Sequence, residues 1–295
     1  MSSQMLISSS TLVHGAGLIA GGPYSCAEGM LGQAFQCINH PETINVERLV
    51  DLTKDLAKQK KIDPLENLKN SYVFILNGTK DQIVYPEAGP RTVSYLQNFM
   101  PLTNMKTEFS LAAGHSMPTV DRGNGCASEE APWVNNCGYD GVQNTLEFLL
   151  HRPLVAGQQD PSHLYQIDLS NQVESNSQIN TTGLIYIPQS CRRSVSTAQT
   201  ASSKPQQASV VCDLHVVFHG CRQTLDEAGL DFIQLAGYNN WAEKNHVVIF
   251  YPNILKSLMN PKGCWDWWGY ADANYNNKMG SQIRSVTKII KTLTR

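Results

Sequence analysis

Four short stretches carry side chains able to do chemistry, and each follows an apolar, strand-like run. Residues 71–78 (SYVFILNG) lead into Thr79-Lys80-Asp81, and residues 107–114 (TEFSLAAG) lead into His115. Residues 214–220 (LHVVFHG) end on His219-Gly220-Cys221, and residues 246–252 (HVVIFYP) lead to GCWDWWGY at 263–270. An Asp after one strand and a His after the next supply the acid–histidine half of a hydrolase triad. The carboxylate holds the imidazole in one tautomer, and the imidazole takes a proton from a nucleophile. By spacing alone the same pair also reads as a turn-capping Asp81 and an ordinary loop histidine.

A His-Gly dipeptide leaving a strand fits an oxyanion hole, because glycine lets the following N–H groups face a developing alkoxide. It equally fits a chain that has to turn. Trp265, Trp267 and Trp268 beside Cys264 offer either a flat apolar surface for a polymer or acyl chain, or a packing plug under the sheet edge. A triad also needs a serine, and no G-x-S-x-G occurs in the 295 residues. The nearest match, Gly114-His115-Ser116-Met117-Pro118, has proline where glycine is required and sets its serine next to the candidate base. Ser116 is rejected as nucleophile.

The elements that must position these groups alternate between strand and helix, the pattern of a mainly parallel α/β protein. Strands are predicted over 16–22, 71–78, 107–114, 183–188, 214–220 and 246–252. Helices are predicted over 46–60, 91–99, 144–151, 232–244 and 281–293. MSSQM at the start also reads as helix. Residues 153–182 turn polar and aperiodic, a connecting excursion with one short strand near 164–167. The Ser/Gln/Ala-rich stretch between Cys191 and Cys212 reads as a surface loop.

Net charge is −2, and no Lys/Arg run interleaves with aromatics, which argues against nucleic acid as a partner. No apolar run reaches the roughly 18 residues of a membrane span. Eight cysteines form no C-x-x-C and no finger-like Cys/His set, so no metal or other cofactor is expected. Their even number and short spacings point to disulfides and an oxidising compartment, with Cys26–Cys37, Cys126–Cys137 and Cys191–Cys212 closing local loops and Cys221–Cys264 remaining; the alternative is eight free thiols in a cytosolic protein.

The stretches AGGPYSC, NGTKDQIVYP, AAGHSMPTVD, NNCGYDG, TTGLIYIPQSC, LHVVFHGCRQT, AGYNNWAEKNHVVIFYP and GCWDWWGY run in order along nearly the whole chain. Together they resemble the secreted, single-domain poly(3-hydroxybutyrate) depolymerases, a family with a circularly permuted α/β-hydrolase fold. The resemblance implies one catalytic domain over 1–295, with Asp81 as triad acid and His115 as base. It implies the backbone at Cys221 as oxyanion donor and Trp267 in the subsite for a 3-hydroxybutyrate unit, flanked by Trp265 and Trp268. A serine would attack the polyester carbonyl and an acyl-enzyme would be hydrolysed by water. The partner is then a polyester polymer or oligomer, and the full-length protein is expected outside the cell or in the periplasm. In the family a strand and a G-x-S-x-G elbow precede a helix like MSSQM. The expectation is therefore a chain cut just after its nucleophile, lacking that strand and the export signal, and inactive as given. Two other readings stand beside it: a non-catalytic polymer-binding protein using the tryptophans, and an esterase for another polyester or for cell-wall esters.

Overall fold

The computed structural model describes residues 1–192 and 211–294; most of the stretch between Cys191 and Cys212 lies outside them. Helix α1 (Ser2–Ser8) is followed by β1 (Gly15–Ile19), α2 (Leu31–Asn39), α3 (Val46–Lys58), β2 (Tyr72–Leu76), α4 (Ala88–Leu96) and β3 (Met105–Glu108). Strands β1, β2 and β3 form a parallel sheet in that order, with Leu18 opposite Ile75 and Ile75 opposite Thr107. A small parallel sheet of order β4-β6-β5 follows, from β4 (Met117–Thr119), β5 (Asn124–Gly125) and β6 (Val134–Asn136). Next come α5 (Gly141–Leu150), β7 (Leu164–Asp168), β8 (Thr182–Tyr186), β9 (Asp213–Val216), α6 (Leu225–Ala228), α7 (Asp231–Leu235), α8 (Tyr238–Asn245), β10 (Val247–Tyr251) and α9 (Ser281–Leu293). Their sheet has the order β7-β8-β10-β9, antiparallel at its first two pairings and parallel between β10 and β9. Among the described residues, β1 and β9 each end their sheet.

Local chemistry explains most of these boundaries. Asn45 caps α3 by accepting the Arg48 N–H at 3.0 Å, and Leu49, Val50, Thr53 and Leu56 turn inward at helical spacing. Asp140 caps α5 in the same way through the Gln143 N–H. Strand β2 is apolar on both faces because it lies mid-sheet between helical layers. The helix expected over 232–244 is two helices, because Gly237 takes φ 103°, a left-handed conformation that interrupts the turn. The strand expected over 107–114 stops at Glu108. Its carboxylate accepts the Ser110 and Leu111 N–H groups and bends the chain out of the strand.

One core cluster packs α3 and α4 against β1 and β2, through Leu49, Leu56, Val73, Ile75 and Tyr95. A second packs α5 and α8 against the four-stranded sheet, through Val142, Leu146, Tyr186, Ala242 and Ile249. A third gathers Met5 of α1, Ile283 and Val286 of α9, and Trp265. All four expected disulfides are present.

Candidate active site

Beyond β2 and β3 the two chains continue side by side. The Thr79 N–H donates to the Leu111 carbonyl at 2.8 Å and the Lys80 N–H to the Ala113 carbonyl at 3.1 Å. These bonds bring Asp81 and His115 together. Asp81 Oδ2 lies 2.8 Å from His115 Nδ1, while Oδ1 accepts the N–H groups of Ile83 and Val84 at 2.9 and 2.8 Å. The carboxylate has no exposed side-chain surface, whereas a quarter of the His115 side chain is exposed. An ionised carboxylate only accepts, so the Nδ1 proton points at Asp81 and Nε2 presents its lone pair outward. Nε2 bonds no group among the described residues, a geometry that leaves it open to a hydroxyl. A glutamate on the Cys126–Cys137 loop braces the pair: Glu129 accepts the Gln82 N–H at 2.6 Å.

The turn after β9 is built around His219. Its Nδ1 donates to the Gly220 carbonyl at 2.8 Å and its Nε2 accepts the Ile254 N–H at 3.1 Å, so the ring is held neutral. Burial pushes its pKa down to about 4. The Gly220 N–H is taken by Gln223 Oε1 at 2.5 Å and the Arg222 N–H by the Lys262 carbonyl at 2.7 Å. Between them the exposed Cys221 leaves its N–H unbonded among the described residues, while its sulfur is tied to Cys264. A fixed turn with one free N–H can receive an oxyanion. Sequence reasoning missed Gln223. Its signal is local, a polar side chain three residues after the N–H it satisfies.

The two halves of the site touch through Trp133. Its carbonyl accepts the Met117 N–H at 2.9 Å, two residues from His115, and the Arg222 guanidinium lies 5.5 Å from its ring centre. The three clustered tryptophans separate. Trp265 is 4% exposed and stacks edge-on against Phe218 at 4.9 Å. It is core beneath the turn at Cys221, the packing plug of the two readings the sequence offered, because α1 and α9 bury that indole. Trp267 and Trp268 are partly exposed, edge to face at 5.5 Å, with Tyr270 beside Trp268 at 4.9 Å. The aromatic surface is therefore narrower than the sequence implied.

The chain is 33% identical over 290 residues to a poly(3-hydroxybutyrate) depolymerase of Delftia acidovorans, covering 96% of this chain and 54% of that protein. It is 28% identical over 299 residues to a polyhydroxybutyrate depolymerase of Talaromyces funiculosus, covering 95% of this chain and 81% of that one. Its structure superimposes on a crystal structure of PHB depolymerase from Penicillium funiculosum with a TM-score of 0.86 at 28% identity, covering 99% of this chain and 91% of that one. A serine-to-alanine variant of a PHB depolymerase, complexed with an R3HB trimer, matches over the same shares with a TM-score of 0.85. The chain belongs to the polyhydroxybutyrate depolymerase family.

No protein-family profile matches it. This member of the depolymerase family has an α/β-hydrolase-type fold and spans about half the length of its Delftia relative. Among its described residues no helix is long and apolar enough to cross a membrane, and no cluster of side chains could hold a metal ion.

Proposed function

We propose that this chain carries the acid–base, oxyanion and substrate-contact parts of a serine esterase acting on poly(3-hydroxybutyrate) or a related polyhydroxyalkanoate. The observation that supports this best is the buried Asp81 bonded to His115 Nδ1 with Nε2 left open. In the reaction, His115 takes the proton of a serine hydroxyl as its oxygen adds to the ester carbonyl, and the Cys221 N–H receives the oxyanion. The protonated His115 then gives its proton to the departing alkoxide oxygen, and that end of the polymer leaves as a hydroxyl. Water, deprotonated by His115, hydrolyses the acyl-enzyme and releases hydroxybutyrate monomer or oligomer. Trp267 lies against the hydroxybutyryl unit, and no cofactor takes part. Four disulfides suit an extracellular or periplasmic site of action.

Residues 1–295 contain no G-x-S-x-G, so this stretch assayed by itself turns over no ester. Supplied with a strand and G-x-S-x-G segment ahead of residue 1, it should hydrolyse a hydroxybutyrate trimer, and His115→Ala should abolish that rate. An undiminished rate in His115→Ala would overturn the assignment. Parallel assays on feruloyl and acetyl esters test a cell-wall substrate instead. The partly exposed Trp267 and Trp268 also favour a second reading, polymer binding without turnover. Retention on polymer granules that Trp267→Ala removes, with no ester cleaved in any form of the chain, would select it.

A further inference from the structure

The loop from β10 to α9 folds around one carboxylate. Asp266 is 2% exposed. Its Oδ1 accepts the N–H groups of Gly269 and Tyr270 at 2.7 and 3.0 Å, and Oδ2 those of Ala271 and Asp272 at 3.0 and 3.2 Å. A carboxylate has roughly four lone-pair directions, and all four are used. No Lys or Arg pairs with Asp266 among the described residues, so backbone N–H groups alone offset the cost of burying this carboxylate. Trp267 and Trp268 sit inside the closed loop, between Asp266 and its four donors.

The same residue is tied at its backbone to two helices. Its carbonyl accepts Gln4 Nε2 of α1 at 2.8 Å, and that amide also donates to the Tyr275 carbonyl at 2.7 Å. Its N–H donates to Gln282 Oε1 of α9 at 2.9 Å. Gln4 and Gln282 are each 3% exposed, so neither bond competes with bulk water.

We propose that Asp266 is a positioning residue for the Trp267–Trp268 subsite: its carboxylate sets the indole planes, and Gln4 fixes that loop relative to α1. This rests on the reading that Trp267 contacts the hydroxybutyryl unit. Asp266→Asn is nearly isosteric, but its Nδ2 faces the Ala271 and Asp272 N–H groups as donor against donor. Glu is too long for the same enclosure.

The test uses residues 1–295 with an (R)-3-hydroxybutyrate trimer as probe, binding followed by calorimetry. Tryptophan geometry is followed by the far-ultraviolet exciton couplet of edge-to-face indoles. Asp266→Asn should weaken trimer binding by about tenfold and collapse the couplet, and Gln4→Ala should weaken binding by about threefold. Should Asp266→Asn fail to fold, Gln4→Ala decides, because it removes an amide without placing a new charge or donor. An unchanged couplet with binding within about twofold of the parent, in whichever variant folds, overturns the proposal. A chain whose trimer binding is absent, or indifferent to Trp267→Ala, defeats the substrate reading instead. The couplet then still judges Asp266.

Discussion

Gly78 is the point where fold and site constrain each other most tightly. A Cβ added there would stand 2.1 Å from the Ala113 carbonyl oxygen and 2.7 Å from its carbon. Both neighbours are backbone, so no side chain can swing away. Gly78→Ala must open that approach to the 3.4 Å of ordinary contact, which separates the chain carrying Asp81 from the chain carrying His115. The Ala113 carbonyl also accepts the Lys80 N–H at 3.1 Å, a bond that would be lost. Overpacking of this kind costs about 1–3 kcal/mol and the hydrogen bond about 1 kcal/mol, so the expected loss is about 2–4 kcal/mol. The same opening stretches the 2.8 Å Asp81–His115 bond past hydrogen-bonding range. Urea unfolding followed by tryptophan fluorescence measures the first effect. The downfield His115 Nδ1 proton in the NMR spectrum reports the second. Gly21→Ala is the control, because a Cβ there meets nothing within 4 Å, and its stability should stay within about 0.5 kcal/mol. A Gly78→Ala protein with the midpoint of the control and an undisturbed His115 signal would refute the reasoning.

Replacing Cys221 and Cys264 by serine opens a loop of 43 residues and should cost about 4 kcal/mol, against about 3 kcal/mol for the 11-residue Cys26–Cys37 loop; equilibrium unfolding ranks them. Trp265→Ala should cost about 3–5 kcal/mol as a core deletion, whereas Trp267→Ala should cost far less and act on trimer binding, so thermal melts and calorimetry separate the two indoles. His219, with its pKa pushed down to about 4 by burial, binds its proton later than the unfolded chain does near 6.5. Its contribution to stability is therefore complete above pH 6.5 and falls away as pH drops towards 4, by about 3 kcal/mol at most. Melting temperatures taken across that range should fall less steeply in His219→Asn.

What the sequence made legible follows from where the candidate residues sit. Asp81, His115 and Cys221 each follow closely on a run whose apolar character marks a strand, so local pattern singled them out as candidates, and the Asp81–His115 contact joins two of them. The disulfides were legible for a related reason, since two of the four close loops of only 11 residues. The groups that hold the site together were not legible, because their partners are distant in sequence. Gln4 reaches across 262 residues to Asp266, and Glu129 serves a turn 47 residues before it. Nothing in MSSQM or in CWDWW reveals that tie. The tryptophan cluster shows the same limit from the other side. Composition alone cannot say which of three neighbouring indoles is core, because that depends on α1 and α9 converging from opposite ends of the described chain. Once they converge, the assignment is forced. Trp265 fills the space they enclose, and the Asp266 carboxylate after it turns the loop so that Trp267 and Trp268 come back towards solvent. A strand-end residue can thus be read from its own neighbourhood, whereas the exposure of side chains on the long loop from β10 to α9 is specified only by the whole fold.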